Sequence, residues 1–199
     1  MCPIVLTAAF LASSILSGAV FARDSLQNIP LKWSPTSTLA EMGAVDVSGA
    51  LLTTKIHLDT FVDTRQTPSL IGENHEKADV RTVTTSGDVP AFIADHLKES
   101  LHGGGLNIVD SAADVNISGE IRQFLVTEAN TYGGEISLLL HVKNAAGKEL
   151  WTGVVTGTST HWGRSYSAAN YYETISDMVL NATYNLLANP GFHAAFGQN

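Results

Sequence analysis

Glu135-Ile136-Ser137-Leu138-Leu139-Leu140-His141-Val142-Lys143 decides the fold class. Ile136, Leu138, Leu140 and Val142 fall on one side of an extended chain, while Glu135, Ser137, His141 and Lys143 fall on the other. That period of two marks a strand with one buried face. Ala145-Ala146-Gly147-Lys148 supplies a tight turn, and residues 150–162 then carry Thr152, Thr156, Thr158 and Thr160 on one face beside Val154, so the pair predicts an antiparallel hairpin. On the N-terminal side, Val115, Ile117, Gly119 and Ile121 alternate through a strand expected to reach about Glu128, with residues 130–134 as a Gly-containing turn.

Two helical periods flank these strands. Ser86-Gly87-Asp88 precedes Val89, Phe92, Ile93, Leu97 and Leu101, which share one helical face; Asp88 is placed to cap the free N–H groups, and Pro90 fits the first turn. Gly103-Gly104-Gly105 stops this helix, so it follows a helix rather than opening one and cannot cradle a phosphate. Ser167 opens the second, in which Tyr172, Ile175, Met178, Val179, Ala182 and Leu186 keep the 3.6 period up to Asn189-Pro190-Gly191. Upstream, Leu52, Thr54, Ile56 and Leu58 alternate as a strand, residues 63–74 with Pro68 and Gly72 read as a loop, and residues 77–85 as an edge strand around Val80 and Val83. Leu106-Asn107-Ile108-Val109 reads as a short strand or the entry to one. The order predicts an α+β domain: an antiparallel or mixed sheet of about five to six strands, with two amphipathic helices packed on one face.

Residues 1–22 read as a signal peptide. No charge occurs from Pro3 to Ala22, a short apolar run is diluted by Ser13, Ser14 and Ser17, and Val20-Phe21-Ala22 matches the small-residue cleavage pattern. Residues 23–45 form an extended lead-in, and residues 46–199 a single α+β domain. All 11 Lys and Arg and all 19 Asp and Glu follow residue 22, so the formal charge of −8 belongs to the exported part. With no basic cluster, nucleic acid and anionic membrane surfaces are disfavoured partners. No second apolar run approaches the roughly 20 residues of a membrane span. Cys2 is the only cysteine and would leave with the signal, which excludes disulfides, a cysteine nucleophile and thiolate metal sites.

Polar residues that carry chemistry are few. His75, His96 and His102 bracket the first helix, but a six-residue spacing turns His96 and His102 away from each other, so no metal site is expected. Asp59, Asp63 and Arg65 offer two carboxylates beside a base, an acid–base pair or an Asp–Arg loop anchor. Ser159 and His161 share a strand face without G-x-S-x-G or an evident third group. A secreted hydrolase using Asp59/Asp63 or Ser159/His161 is therefore the alternative to a non-enzymatic binding domain. The residues expected to meet a partner are Asp63, Arg65, Trp162 and Arg164, the last two as an aromatic–cationic rim at a sheet end. No catalytic residue, cofactor or metal is expected in the binding-domain reading.

Several stretches together resemble the YajG-like family of bacterial envelope lipoproteins. They are Phe61-Val62-Asp63-Thr64-Arg65, Ile71-Gly72, the capped helix from Val89, Gly105-Leu106-Asn107-Ile108-Val109, Ala113 to Ile121, the Gly147 hairpin with Leu150-Trp151, and the final helix. The resemblance spans about residues 47–196 in order. It implies a small α+β domain held in the periplasm, usually by a lipid anchor, with no established enzymatic activity and no catalytic residues to carry over. An envelope protein is the partner expected for a binding domain in that setting. The chain departs from the family in lacking a lipobox cysteine, so a soluble periplasmic form is expected.

Overall fold

The computed structural model describes residues 25–47, 49–163 and 165–197. The expected signal peptide and Arg164 lie outside the described residues. In chain order the elements are α1 (Leu39–Met42), α2 (Ala50–Thr53), β1 (Ile56–Leu58), β2 (Val62–Asp63), β3 (Leu70–Asn74), β4 (Arg81–Thr84), α3 (Val89–Gly103), β5 (Val115–Glu128), β6 (Thr131–Asn144), β7 (Glu149–Trp162), α4 (Ala168–Leu187) and α5 (Pro190–Phe196).

The three long strands form the antiparallel centre that their alternation predicts. Ile117 pairs with Val142, and Leu138 with Val155. Val115, Ile117, Ile121, Leu138, Leu140 and Val142 are all buried. The hairpin between β6 and β7 turns on Gly147 at φ +79°, a left-handed conformation that costs glycine nothing. The Asn144 side-chain oxygen secures this turn by accepting from the N–H groups of Ala146 and Lys148 at 3.1 and 3.0 Å.

The far side of β5 is built from short pieces. β1, β2 and β3 follow one another along it, all parallel, pairing Ile56 with Val115, Val62 with Glu120 and Gly72 with Val126. β4 is antiparallel to β3 and outermost. The sheet is thus mixed and seven-stranded rather than five- or six-stranded. Of the additional strands, β2 has only two residues, and β3 buries Ile71 and Gly72 side by side, so neither carries a period of two.

Three local expectations are corrected. Residues 50–53 are a helical turn, not strand: the alternation of Leu52 with Thr54 is accidental, Leu51 is the buried residue, and the Thr54 N–H closes the turn on the Ala50 carbonyl at 3.0 Å. Residues 63–74 contain β3, whose Ile71 is fully buried, so half of the expected loop belongs to the sheet. The chain reverses at Ala129–Asn130, and Gly133 and Gly134 lie within β6.

Helices α3 and α4 cover the inner face of the sheet. The Asp88 carboxylate accepts from the Ala91 N–H at 3.0 Å and starts α3, as expected. Ile175, Met178, Val179 and Leu186 bury the inner stripe of α4. Two glycines let α4 approach closely: a Cβ on Gly134 would stand 2.7 Å from Thr174 Cγ2, and one on Gly157 would stand 2.5 Å from the Ala182 nitrogen.

Residues 25–38 carry no helix or strand and lead into α1, whose four helical residues interrupt the extended run expected for residues 23–45. Side-chain and backbone contacts tie the segment to the rest of the fold. Ile29 bridges to Thr85 beside β4, and Trp33 stacks on the His96 ring at 4.1 Å. The Ser34 N–H donates to Ser176 Oγ and the Thr36 N–H to Asp177 Oδ1, both at 2.8 Å, fixing the segment across α4.

Candidate functional site

The Asp63–Arg65 pair is turned inward. Arg65 Nε and Nη2 donate to the two Asp63 oxygens at 2.9 and 2.7 Å. Its remaining donors reach the carbonyls of Pro68, Leu70 and Phe124 at 2.5, 2.8 and 3.0 Å. With side chains only 8% and 9% exposed, the guanidinium spends its five donors inside the fold as a loop anchor. Asp59 lies apart, with its side chain half exposed and 3.6 Å from His57 Nε2, while Asp63 is bound to Arg65.

Ser159 and His161 do meet, and a third group joins them from α4. Ser159 Oγ lies 2.9 Å from His161 Nε2, and Asp177 Oδ2 lies 2.9 Å from that same nitrogen. A hydrolytic relay needs the serine on one ring nitrogen and the carboxylate on the other. Here both crowd Nε2, which cannot take a proton from Ser159 while facing Asp177. Asp177 also accepts from the Thr36 hydroxyl at 2.5 Å, so the cluster clamps the lead-in to the sheet edge.

The sequence did not single out Glu128, which is fully buried at the end of β5. It keeps the inward phase of Phe124 and Val126, the signal that could have found it. Its carboxylate accepts from the Tyr171 hydroxyl at 2.9 Å and from the N–H of Tyr166 at 2.8 Å. Arg81 stacks 3.8 Å over the Tyr166 ring while donating to buried Asn74. Burial first, and then the Glu128 carboxylate, push the Tyr171 and Tyr132 hydroxyls above the ordinary tyrosine value of about 10.

The stability these tyrosines contribute is intact below their unfolded value and is lost as pH rises toward their raised folded values. Urea midpoints should therefore fall between about pH 9 and about pH 11. Tyr171→Phe should flatten that fall, while costing roughly 1–3 kcal/mol at neutral pH by leaving Glu128 Oε2 short of a donor. An unchanged alkaline slope in the variant would refute this assignment.

His75 and His96 are likewise engaged locally, with Glu73 at 3.0 Å and Glu99 at 3.2 Å. Among the described residues no group of three His, Cys, Asp or Glu side chains is placed to hold a metal ion.

The outer face of the long strands is different in kind. Along β7 the outward side chains of Thr152, Val154, Thr156, Thr158, Thr160 and Trp162 are exposed, with Val154 at 51% and Trp162 at 88%. Register places Thr127, Gly133 and Thr160 in one row across β5, β6 and β7. Leu125, Glu135 and Thr158 make the next row, and Thr131 with Trp162 the row on the other side. Because Gly133 has no side chain, a depression of about 280 Å³ opens there, lined also by Gln123. Gln123 Nε2 donates to Glu135 Oε2 at 2.6 Å. The free edge of β7 is shielded midway: the Thr158 N–H donates to Asn181 Oδ1 at 2.9 Å, and Asn185 Nδ2 donates to the Thr156 carbonyl at 2.8 Å. Two α4 amides thus occupy backbone groups that an added strand would need.

No protein-family model matches the sequence, and comparison with curated proteins finds no match. Solved structures do resemble it. Protein XCC0632 from Xanthomonas campestris, of family DUF330, superposes with a TM-score of 0.53 at 11% identity, covering 86% of this chain and 93% of that one. The PelC dodecamer from Paraburkholderia phytofirmans gives 0.40 at 16% identity over 70% and 94% of the two chains. A minor lipoprotein from Acinetobacter baumannii gives 0.39 at 11% identity over 70% and 96%. The chain shares its α+β fold with XCC0632. Among the described residues no helix is long and apolar enough to cross a membrane.

Proposed function

We propose that the chain is a non-enzymatic binding domain of the bacterial cell envelope, working through the outer face of β5, β6 and β7. The observation that carries this reading is that outer face, where a large aromatic and a valine stand exposed beside a row of threonines while the inner face is packed under α4. The YajG-like resemblance and the export pattern of residues 1–22 support a periplasmic setting, at or near the outer membrane, with an envelope protein as partner. The alternative of a hydrolase loses support from the geometry of Ser159, His161 and Asp177, which share one ring nitrogen. It also loses support from Asp63, which is spent on Arg65 inside the fold while Asp59 stands apart beside His57.

The test is recovery of tagged chain from solubilised envelope. The wild type should bring down a discrete partner, and Val154→Glu with Thr156→Glu should lose it while melting unchanged, since charges are tolerated on an edge strand. Equal recovery by both proteins would overturn the proposal.

A further inference from the structure

We propose that the depression over Gly133 binds a neutral glycan, with one pyranose ring seated among Thr127, Thr158, Thr160, Gln123 and Glu135 and the next ring stacked on Trp162. This rests on the binding-domain reading and names the ligand class for that face. The lining combines exposed threonine hydroxyls, each donor and acceptor, with one amide and one carboxylate. Such a set answers the hydroxyls of a sugar ring, which also donate and accept. Its volume of about 280 Å³ lies near the lower limit of roughly 300 Å³ for small-molecule sites. It therefore suits a single ring better than a folded peptide.

Trp162 supplies the complementary apolar surface. An indole left 88% exposed forgoes the burial that normally recovers so large an apolar area. Register puts it one row beyond Thr160, on the same face as the depression. A pyranose offers polar edges and a flat apolar C–H face, and this face offers hydroxyls in one row and an aromatic plane in the next.

Charge and edge geometry separate this ligand from its competitors. Glu135 is the one charged residue among those lining the depression, and the chain carries −8 overall, so an anionic polymer is repelled. A peptide adding to β7 as a strand would need the Thr158 N–H and the Thr156 carbonyl, which Asn181 and Asn185 already occupy.

Gly133 provides a clean variant. A Cβ there meets only the Thr127 carbonyl oxygen, at an ordinary 3.9 Å, so valine fills the depression without disturbing the backbone. The experiment is titration of the ¹⁵N-labelled full chain with chitotetraose and with maltotetraose, following amide and indole signals. At least one should shift the signals of Thr127, Gly133, Thr158, Thr160 and the Trp162 indole. Trp162→Ala should weaken that binding roughly tenfold, and Gly133→Val should abolish it while melting no lower than wild type. The proposal is overturned if neither oligosaccharide shifts these signals, if the shifts survive both substitutions, or if an anionic oligogalacturonate binds equally well. Failure here with envelope recovery still sensitive to Val154→Glu removes the glycan and leaves the binding face standing. Failure of both removes the face itself.

Discussion

Arg65→Ala is expected to lower the unfolding free energy by about 3–5 kcal/mol, the cost of leaving one member of a buried ion pair without its partner. Asp63 would keep a carboxylate in a site where its side chain is 9% exposed, and the carbonyls of Pro68, Leu70 and Phe124 would lose their shared donor. The anchor also joins three elements: β2 carries Asp63, Leu70 opens β3, and Phe124 lies in β5 beneath the guanidinium at 5.6 Å. The loss should therefore appear as a lower urea midpoint with an unchanged slope, because the whole sheet edge unfolds as one unit. Replacing both members, Asp63→Leu with Arg65→Met, should recover only part of it, since the three carbonyls remain unpaired. A loss below about 1 kcal/mol for Arg65→Ala would mean that the pair behaves as a solvated surface bridge.

Gly157→Val is the second large effect, expected to cost about 3 kcal/mol or more because the obstacle is backbone rather than a movable side chain. A Cβ at this position collides with the Met178 carbonyl and stands 2.5 Å from the Ala182 nitrogen. Helix α4 would have to lift from the sheet, loosening Ile175, Met178, Val179 and Leu186 together. Gly133→Val, on the other face of the neighbouring strand, is the control. It should leave stability unchanged or raise it by up to about 1 kcal/mol, since valine suits a strand and restricts the unfolded chain. Equal melting temperatures for the two variants would contradict the placement of α4 on the inner face.

Much of this architecture is legible in the sequence because long periodic segments repeat their signal. Strands β5 and β6 and helices α3 and α4 each present several apolar residues in phase, and β7 presents a run of threonines at alternate positions. The short elements do not. β1, β2 and β3 exist because β5 offers an edge to pair with: β2 has only two residues, and in the five residues of β3 the adjacent Ile71 and Gly72 are both buried, so neither shows a period of two. The four residues of α2 mimic a strand because Leu52 happens to stand two residues before Thr54. The long-range clamps leave no local trace either, since Thr36 finds Asp177 across 141 positions.

The candidate site follows the same division. Strand parity places Ser159 with His161, and it groups Thr156, Thr158 and Thr160 with Trp162 on one face. It cannot show that Asp177 of α4 approaches the wrong side of the relay, nor that Arg65 finds carbonyl partners on β3 and β5. The depression depends on three-strand register, which sets Gly133 between Thr127 and Thr160. Only the structure supplies that register.

The most direct test of the outer face as the functional surface is photo-crosslinking in intact cells. A photoreactive residue is placed singly at Val154, at Trp162 and, as a covered-side comparison, at Glu99 of α3, whose side chain is 70% exposed. The expected result is discrete adducts from positions 154 and 162, none from 99, and the same pattern when Ser159→Ala is added. Adducts from position 99 alone, or a pattern that vanishes with Ser159→Ala, would contradict a binding domain working through the open sheet.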